Sequence, residues 1–293
     1  MLKSMKYNWI YIFSTSNKIA TLVFSLWGFV TLVTPTDGIL DAIQNGLLRI
    51  LVAALILMII YMIIILAVTI YSKRKRSIKV FDLHSKHSLY VEYGDLFNCG
   101  VSVERKNIAF AGNRCFDTIV DDDLVGSNKI HGAALKRIYD NGDRNQDAVN
   151  KEIQSNLSLH GYKKETLNQK DKRSGNLTRY EVGSIAEIKG LQNEQYFILG
   201  LTYFDKELRA HVEKYDYIKA ISSLVRYISD RSQGFPTYMP VIGTGGADAG
   251  TVNDLIVFII KIIEIYKDEI DCDVHIVVSD KEEKLGLLNL KML

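Results

Sequence analysis

Pro240-Val241-Ile242-Gly243-Thr244-Gly245-Gly246-Ala247-Asp248-Ala249-Gly250-Thr251 reads as an apolar strand that runs into a glycine-rich turn and then into a helix. A turn of this kind presents backbone N–H groups. Without side chains at Gly243, Gly245 and Gly246 a ligand can approach the main chain closely, and the helix that follows adds its positive end, so phosphate oxygens are the natural guests. Thr251, three residues before Asp254, is placed to cap that helix. The stretch does not complete G-x-G-x-x-G, because Asp248 stands where the third glycine would be, and no lysine follows to make a P-loop. A dinucleotide dehydrogenase and an ATPase are both disfavoured. On its own the stretch also fits a tight strand-to-helix turn that binds nothing.

Working outward, the residues after Ser77 alternate short β-type runs with helical ones, which argues for an α/β sheet with helices on its faces. Strands are expected at Val91–Tyr93, Asn107–Ala111, Ala186–Ile188, Tyr196–Leu201, Tyr238–Ile242 and Val274–Val278, and helices at His131–Tyr139, Tyr215–Ser229 and Val252–Tyr266. Asn141–Asn176 is polar and charged and reads as a helix plus an exposed insertion. About 220 residues, 77–293, suit a single domain.

The composition of the whole chain, 36 Lys plus Arg against 34 Asp plus Glu, hides a division. Residues 1–72 hold only Lys3, Lys6, Lys18, Arg49, Asp37 and Asp41 as charges, and the remainder is balanced at 32 bases and 32 acids. A charge-poor first quarter cannot be the surface of a water-soluble domain, and the balanced remainder has no bias toward nucleic acid. Cys99, Cys115 and Cys272 form no C-x-x-C pair, which excludes a disulfide framework and a thiolate zinc site and points to a reducing compartment. The six histidines are scattered, so no metal is expected.

Ile50–Tyr71 is an uncharged run of 22 residues, about 33 Å as a helix and long enough for a bilayer core. Ile19–Thr36 is also uncharged, and its 18 residues would span about 27 Å. With Pro35, Asp37 and Gly38 ending the first run, residues 1–76 read as a two-helix transmembrane hairpin. Lys3, Lys6 and Lys18 precede one span and Lys73-Arg74-Lys75-Arg76 follows the other, so both termini are placed in the cytoplasm, with residues 77–293 as a cytoplasmic domain. Tyr7, Trp9 and Tyr11 place the chain before Lys18 along the interface, and Arg49 reaches back to it with its long stem. A secretory signal peptide is the alternative for the first run, but no small-x-small cleavage site closes it. The Lys73–Arg76 run is read as a topology signal and not as a nucleic-acid patch.

Three further segments fall in a telling order: Tyr93-Gly94-Asp95-Leu96, Ala109-Phe110-Ala111-Gly112-Asn113, and Val125-Gly126-Ser127-Asn128-Lys129-Ile130-His131-Gly132 leading into a helix. Together with the late glycine turn, this order resembles the macro domain, an ADP-ribose-binding α/β fold, over roughly residues 80–285. The resemblance implies that Asp95 accepts from the adenine amino group, with the Leu96 backbone N–H near the ring, and that Asn113 contacts the distal ribose. It also implies a first diphosphate loop at Gly126, Ser127, Asn128, Lys129, Ile130 and His131 and a second at Gly243, Thr244, Gly245, Gly246 and Ala247. Read from the residues alone, Asp95 could instead cap a helix and Asn113 stabilise a turn. Thr202–Asp205 and Ser279 are weaker candidates for the lining.

Hydrolytic macro domains usually carry three glycines in the first loop and small residues after the strand-ending asparagine. Here the loop is Gly126-Ser127-Asn128, and Arg114-Cys115 follow Asn113. That departure fits recognition of a decorated ADP-ribose better than hydrolysis, with Arg114 or His131 supplying contacts to the added group. Two membrane helices joined to such a domain resemble the membrane-anchored macro effectors of type II Thoeris anti-phage defence. The resemblance implies a bacterial inner-membrane protein, a TIR-domain partner that makes an ADP-ribose conjugate of histidine as the ligand, and a homo-oligomer that damages the bilayer. A membrane-anchored ADP-ribosyl hydrolase and a static ADP-ribose-binding anchor are the competing readings.

Overall fold

The computed structural model describes residues 2–33, 45–74, 77–100, 104–142, 144–245 and 249–279. The chain divides into two compact units at Arg76/Ser77. In the first, α1 (Leu2–Val33) and α2 (Gly46–Arg74) pack on one another. Ile12, Ser16, Ala20, Val68 and Thr69 are buried, and the Tyr61 hydroxyl donates to Asn17 Oδ1 at 2.6 Å. Among the described residues α2 is the one helix long and apolar enough to cross a membrane, over Gly46–Tyr71. The first run, expected to begin at Ile19, is the later part of α1, which is one helix from Leu2. The cause is local: neither glycine nor proline occurs before Gly28 to interrupt it. Pro35, Asp37, Gly38 and Asp41 lie outside the described residues, as do Lys75 and Arg76.

The second unit is built on a mixed sheet. Its strands are β1 (Ser77–Asp82), β2 (Ser88–Gly94), β3 (Lys106–Asn113), β6 (Ile185–Lys189), β7 (Glu194–Phe204), β8 (Ala210–His211), β9 (Thr237–Pro240) and β10 (Val274–Ser279), and β4 (Lys164–Thr166) and β5 (Thr178–Tyr180) form a separate hairpin. The order is β1-β2-β10-β9-β3-β7-β6, parallel from β2 to β7, with antiparallel β1 and β6 at the edges and β8 folded back on β7. Burial on both faces explains why the central strands read as continuous apolar runs. Ile108, Phe110, Tyr196 and Ile198 look to one side, where α3 (Ile130–Asp140) and α4 (Gln146–Leu159) lie. Ala109, Phe197 and Leu199 alternate to the other, where α5 (Lys214–Arg231) brings Tyr227 to 5.2 Å from Phe197 and packs beside α6 (Val252–Ile265). Thr251 caps α6 as expected, its hydroxyl accepting from the Asp254 N–H at 3.3 Å.

The expected strand at Tyr238–Ile242 stops at Pro240, and β1, the β4–β5 hairpin and β8 were not anticipated. The larger correction concerns Asn141–Asn176, which is not simply an exposed insertion. Lys172 is fully buried, with Nζ 2.9 Å from Asp117 Oδ2 and donating to the carbonyls of Ser174 and Asn176 at 2.8 and 2.9 Å. The Asn176 side chain donates to Cys115 O, Phe116 O and Asn150 Oδ1. A polar composition that looks solvated is drawn inward by one buried charge pair whose ammonium also donates to two carbonyls, a long-range event that local composition cannot register.

Candidate functional site

The carboxyl ends of β3, β7 and β9 open on one cleft of about 450 Å³, the edge at which parallel sheets place ligands. Its floor is Phe110–Asn113, one wall is the loop from Asp122 to His131, and the opposite wall is Pro240–Gly245. The β7–β8 turn overhangs it with Phe204, Leu208 and Ala210.

The wall at Asp122–His131 is folded by its own backbone and side chains. Asp121 Oδ1 accepts from the N–H groups of Asp123 and Leu124, and Asp122 Oδ1 accepts from the Ser127 N–H at 2.6 Å. Those Ser127 bonds hold the Asp122 carboxyl below its ordinary range. The Lys129 N–H closes a turn on Gly126 O, and α3 begins at Ile130 with no side chain capping it. Its first-turn donors are therefore available to an anion. Gly132 is required here, since a Cβ would stand 2.2 Å from Gly126 O.

Opposite, Gly243 adopts φ +97°, and a Cβ on it would lie 2.8 Å from the Tyr217 ring. Only glycine fits. Tyr217 on α5 donates its hydroxyl to Ile242 O at 2.8 Å, and Thr244 Oγ1 donates to Val241 O. The loop is thus held from beneath by a buried tyrosine that the sequence reading missed, for its position in an ordinary apolar helix face gave no sign of it. Gly245 has open space around it. Gly246 and Ala247 lie outside the described residues.

Asn113 ends β3 with its Oδ1 accepting from Cys115 N at 3.0 Å and Asp117 N at 3.4 Å, so the carbonyl end makes a turn and the NH₂ group is not used in it. His131 is buried on the first turn of α3, with its ring against Gly112 and Phe110 and its Nε2 without a hydrogen-bond partner. Burial depresses its pKa to about 4, which keeps the imidazole neutral near pH 7. The lining carries one cation, Lys129, against Asp122 and Asp123, so phosphate would be held by main-chain donors and helix ends and not by a basic pocket.

Of the residues singled out by sequence, the cleft gathers Asn113, Gly126, Asn128, Lys129, Ile130, His131, Gly243, Thr244 and Gly245, with Thr202 and Phe204. Ser127 braces the wall through its N–H. Asp95, Leu96 and Arg114 are not in the lining. Asp95 follows β2, where its carboxylate accepts from Phe97 N and Asn98 Nδ2, both at 3.0 Å. Leu96 is buried in the core beside it. Arg114 points its guanidinium at Tyr180 O, 2.8 Å from Nε, and at Asp216, 3.8 Å away. Ser279 ends β10 outside the cleft, and Leu124, Leu201, Leu208 and Ala210 are lining residues that sequence reasoning passed over.

A mixed sheet with two glycine-bearing loops closing on its carboxyl edge defines a macro-type nucleotide-binding domain. A family model, "Thoeris protein ThsA, Macro domain", matches residues 89–279, and the chain belongs to that family. "Thoeris protein ThsA" of Bacillus amyloliquefaciens (strain Y2) is 26% identical over 183 residues, 60% of this chain and 57% of the relative. The match therefore takes in little more than half the relative's length. Similar solved structures include macrodomains of Oceanobacillus iheyensis, one a variant with ADPR (TM-score 0.47, 12% identity, 73% of this chain and 97% of that one) and one with ADP (TM-score 0.46, 12% identity, 73% and 95%).

Proposed function

We propose that the chain is a membrane-tethered effector of anti-phage defence that binds an ADP-ribose-class nucleotide in the cleft and answers by self-association and membrane damage. The observation that carries the reading is the uncapped start of α3 facing the Pro240–Gly245 loop, in a ThsA-family chain that also holds the apolar helix Gly46–Tyr71. The two walls offer backbone donors to a diphosphate, Asn113 offers an amide to a ribose, and Leu124, Phe204, Leu208 and Ala210 offer an apolar wall to a group attached beyond it. A histidine conjugate of ADP-ribose, made by a TIR-domain partner, suits that combination: its phosphates take the main-chain donors and its added ring takes the apolar wall. A two-helix protomer cannot enclose a path, so damage requires several copies in the bilayer.

Thermal-shift titration of the full chain in detergent against ADP-ribose, its cyclic isomers, its histidine conjugate and NAD tests the reading. A ligand at 100 times its Kd stabilises the fold by about 2.7 kcal/mol. Stabilisation by none of the four classes would remove the nucleotide assignment. Incubation with ADP-ribosylated protein separates effector from hydrolase: multiple turnover would replace the effector reading with the enzyme one. Light scattering with saturating conjugate should show larger assemblies than without it, since only differential affinity for the assembled state can shift the equilibrium.

A further inference from the structure

The membrane-type unit has a charge where its apolar length leaves no room for one. Tyr61 meets Asn17, and Tyr61 lies 15 residues after Gly46 while Asn17 lies 16 before Val33. With 12 connecting residues, only an antiparallel packing fits comfortably, because a parallel one would stretch the connection to roughly 46 Å, the fully extended limit. Antiparallel packing then sets Leu32 level with Gly46 and Tyr7 level with Tyr71, so the apolar length of α2 is matched on α1 by Tyr7–Leu32 and not by residues 19–36. Lys18 falls within two residues of the middle of that stretch, about 2 Å.

Moving the bilayer boundary down to Lys18 does not resolve the conflict. It would leave Met62–Tyr71, with Ile63, Ile64, Ile65, Leu66 and Ile70, in water. Burial of five large aliphatic side chains outweighs the penalty on one lysine that polar neighbours can solvate. From the level of Tyr61 to that of Tyr71 is about 15 Å, too far for a four-carbon stem to carry the ammonium to the interface. Lys18 is exposed, no described residue pairs with it, and no Asp or Glu occurs in residues 1–36 or 42–81. It shares its side of α1 with exposed Ser14, Thr21 and Ser25, at spacings of four, three and four, while Ile12, Ser16 and Ala20 face α2 on nearly the opposite side.

We infer that this outward side of α1 lines an aqueous, anion-attracting path formed between copies of the chain, with Lys18 as its charge ring. The inference rests on the membrane-effector reading and deepens it. Hydrocarbon cannot solvate the ammonium, and a dry seam between like copies would set lysine against lysine, so water and mobile anions between several copies are the neighbours that suit it. The hydroxyls of Ser14, Thr21 and Ser25 continue the wetted stripe along the same side.

The test uses the full chain in planar bilayers with the histidine conjugate of ADP-ribose added, under a tenfold KCl gradient. The wild type should reverse on the chloride side, Lys18→Arg should keep that sign, Lys18→Gln should lose most of the selectivity, and Lys18→Glu should move the reversal potential toward potassium. Arg serves as the control that the packing survives substitution. A leak that passes large dyes and keeps one reversal potential through all four proteins would overturn the path while leaving membrane damage in place. No leak at all from wild type shown to be saturated with the conjugate would remove both.

Discussion

Gly245→Glu isolates the anion site from the fold. Gly245 lines the cleft, its backbone is outside the left-handed region, and among the described residues no atom stands within 4 Å of where a Cβ would be, so a side chain there meets neither clash nor strain from them. The added carboxylate would lie at the wall that faces the start of α3. At about 4 Å from one phosphate charge, the repulsion is about 1 kcal/mol in water-like surroundings and about 4 kcal/mol at an effective dielectric constant of 20. The open mouth of the cleft favours the lower half of that range, about 1–2.5 kcal/mol, so affinity for ADP-ribose should fall by about fivefold to seventyfold. Calorimetric titration of the full chain in detergent measures it, with the unliganded Tm as the check on folding. Gly245→Ala supplies the steric control and should bind within about twofold of wild type, and 1 M salt, whose Debye length is about 3 Å, should restore part of the loss in the Glu variant. Unchanged affinity in folded Gly245→Glu would show that no phosphate sits at this wall.

Lys172→Met should destabilise the second unit by about 3–5 kcal/mol, because it strands the Asp117 carboxyl without its partner, whereas adding Asp117→Asn should recover a large part; denaturant titration decides, and an undisturbed midpoint in the single variant would refute the clamp. Acid should destabilise the fold through His131: its folded pKa, about 4, is below the unfolded value near 6.5, so the unfolded chain binds the proton first and stability falls as pH drops from 6.5 to 4. The loss from this one group approaches about 3 kcal/mol, and His131→Gln should flatten that part of the Tm–pH curve; an equal slope in both proteins would place a proton on the native imidazole. Phe204→Ala should cost roughly 0.5–1.5 kcal/mol in binding the histidine conjugate and less in binding ADP-ribose itself, and equal losses by competition titration would take the added ring off the apolar wall.

The parts of the structure legible in the sequence are those written in local pattern. Ile108 and Phe110 on one face of β3 with Ala109 on the other, the apolar stripe of α5, and Thr251 before α6 each follow from period or capping over a few residues. The two glycine loops were legible for the same reason, since a bend that brings backbone close to a ligand must spell itself in small residues. What stayed hidden depends on contacts across long separations. Lys172 reaches Asp117 across 55 positions and Tyr217 reaches Ile242 across 25, and neither partner looks unusual in its own neighbourhood. Lys18 shows the opposite failure. Charge counting made it the edge of a span, whereas the pairing of Asn17 with Tyr61 sets its neighbour against the middle of α2.

A site built from main-chain donors divides the work of recognition. Backbone N–H groups and helix ends recognise the phosphates that ADP, ADP-ribose, NAD and their conjugates all share, so they set how tightly a nucleotide is held without setting which one. Choice must come from the parts of the lining that are particular: Asn113 with its carbonyl oxygen already spent on a turn, His131 kept neutral by burial, and the apolar overhang of Phe204, Leu208 and Ala210. None of these can donate to or repel a charge as a cation or carboxylate would, which favours a neutral or weakly polar ring over a further phosphate at that end. Asp122 and Asp123 strengthen the bias, since a second phosphate leaving the α3 terminus would approach two carboxylates. In the proposed reading this end would select against extra charge as much as for a fitting group, since an added phosphate would approach Asp122 and Asp123 and an added ring would meet the apolar overhang.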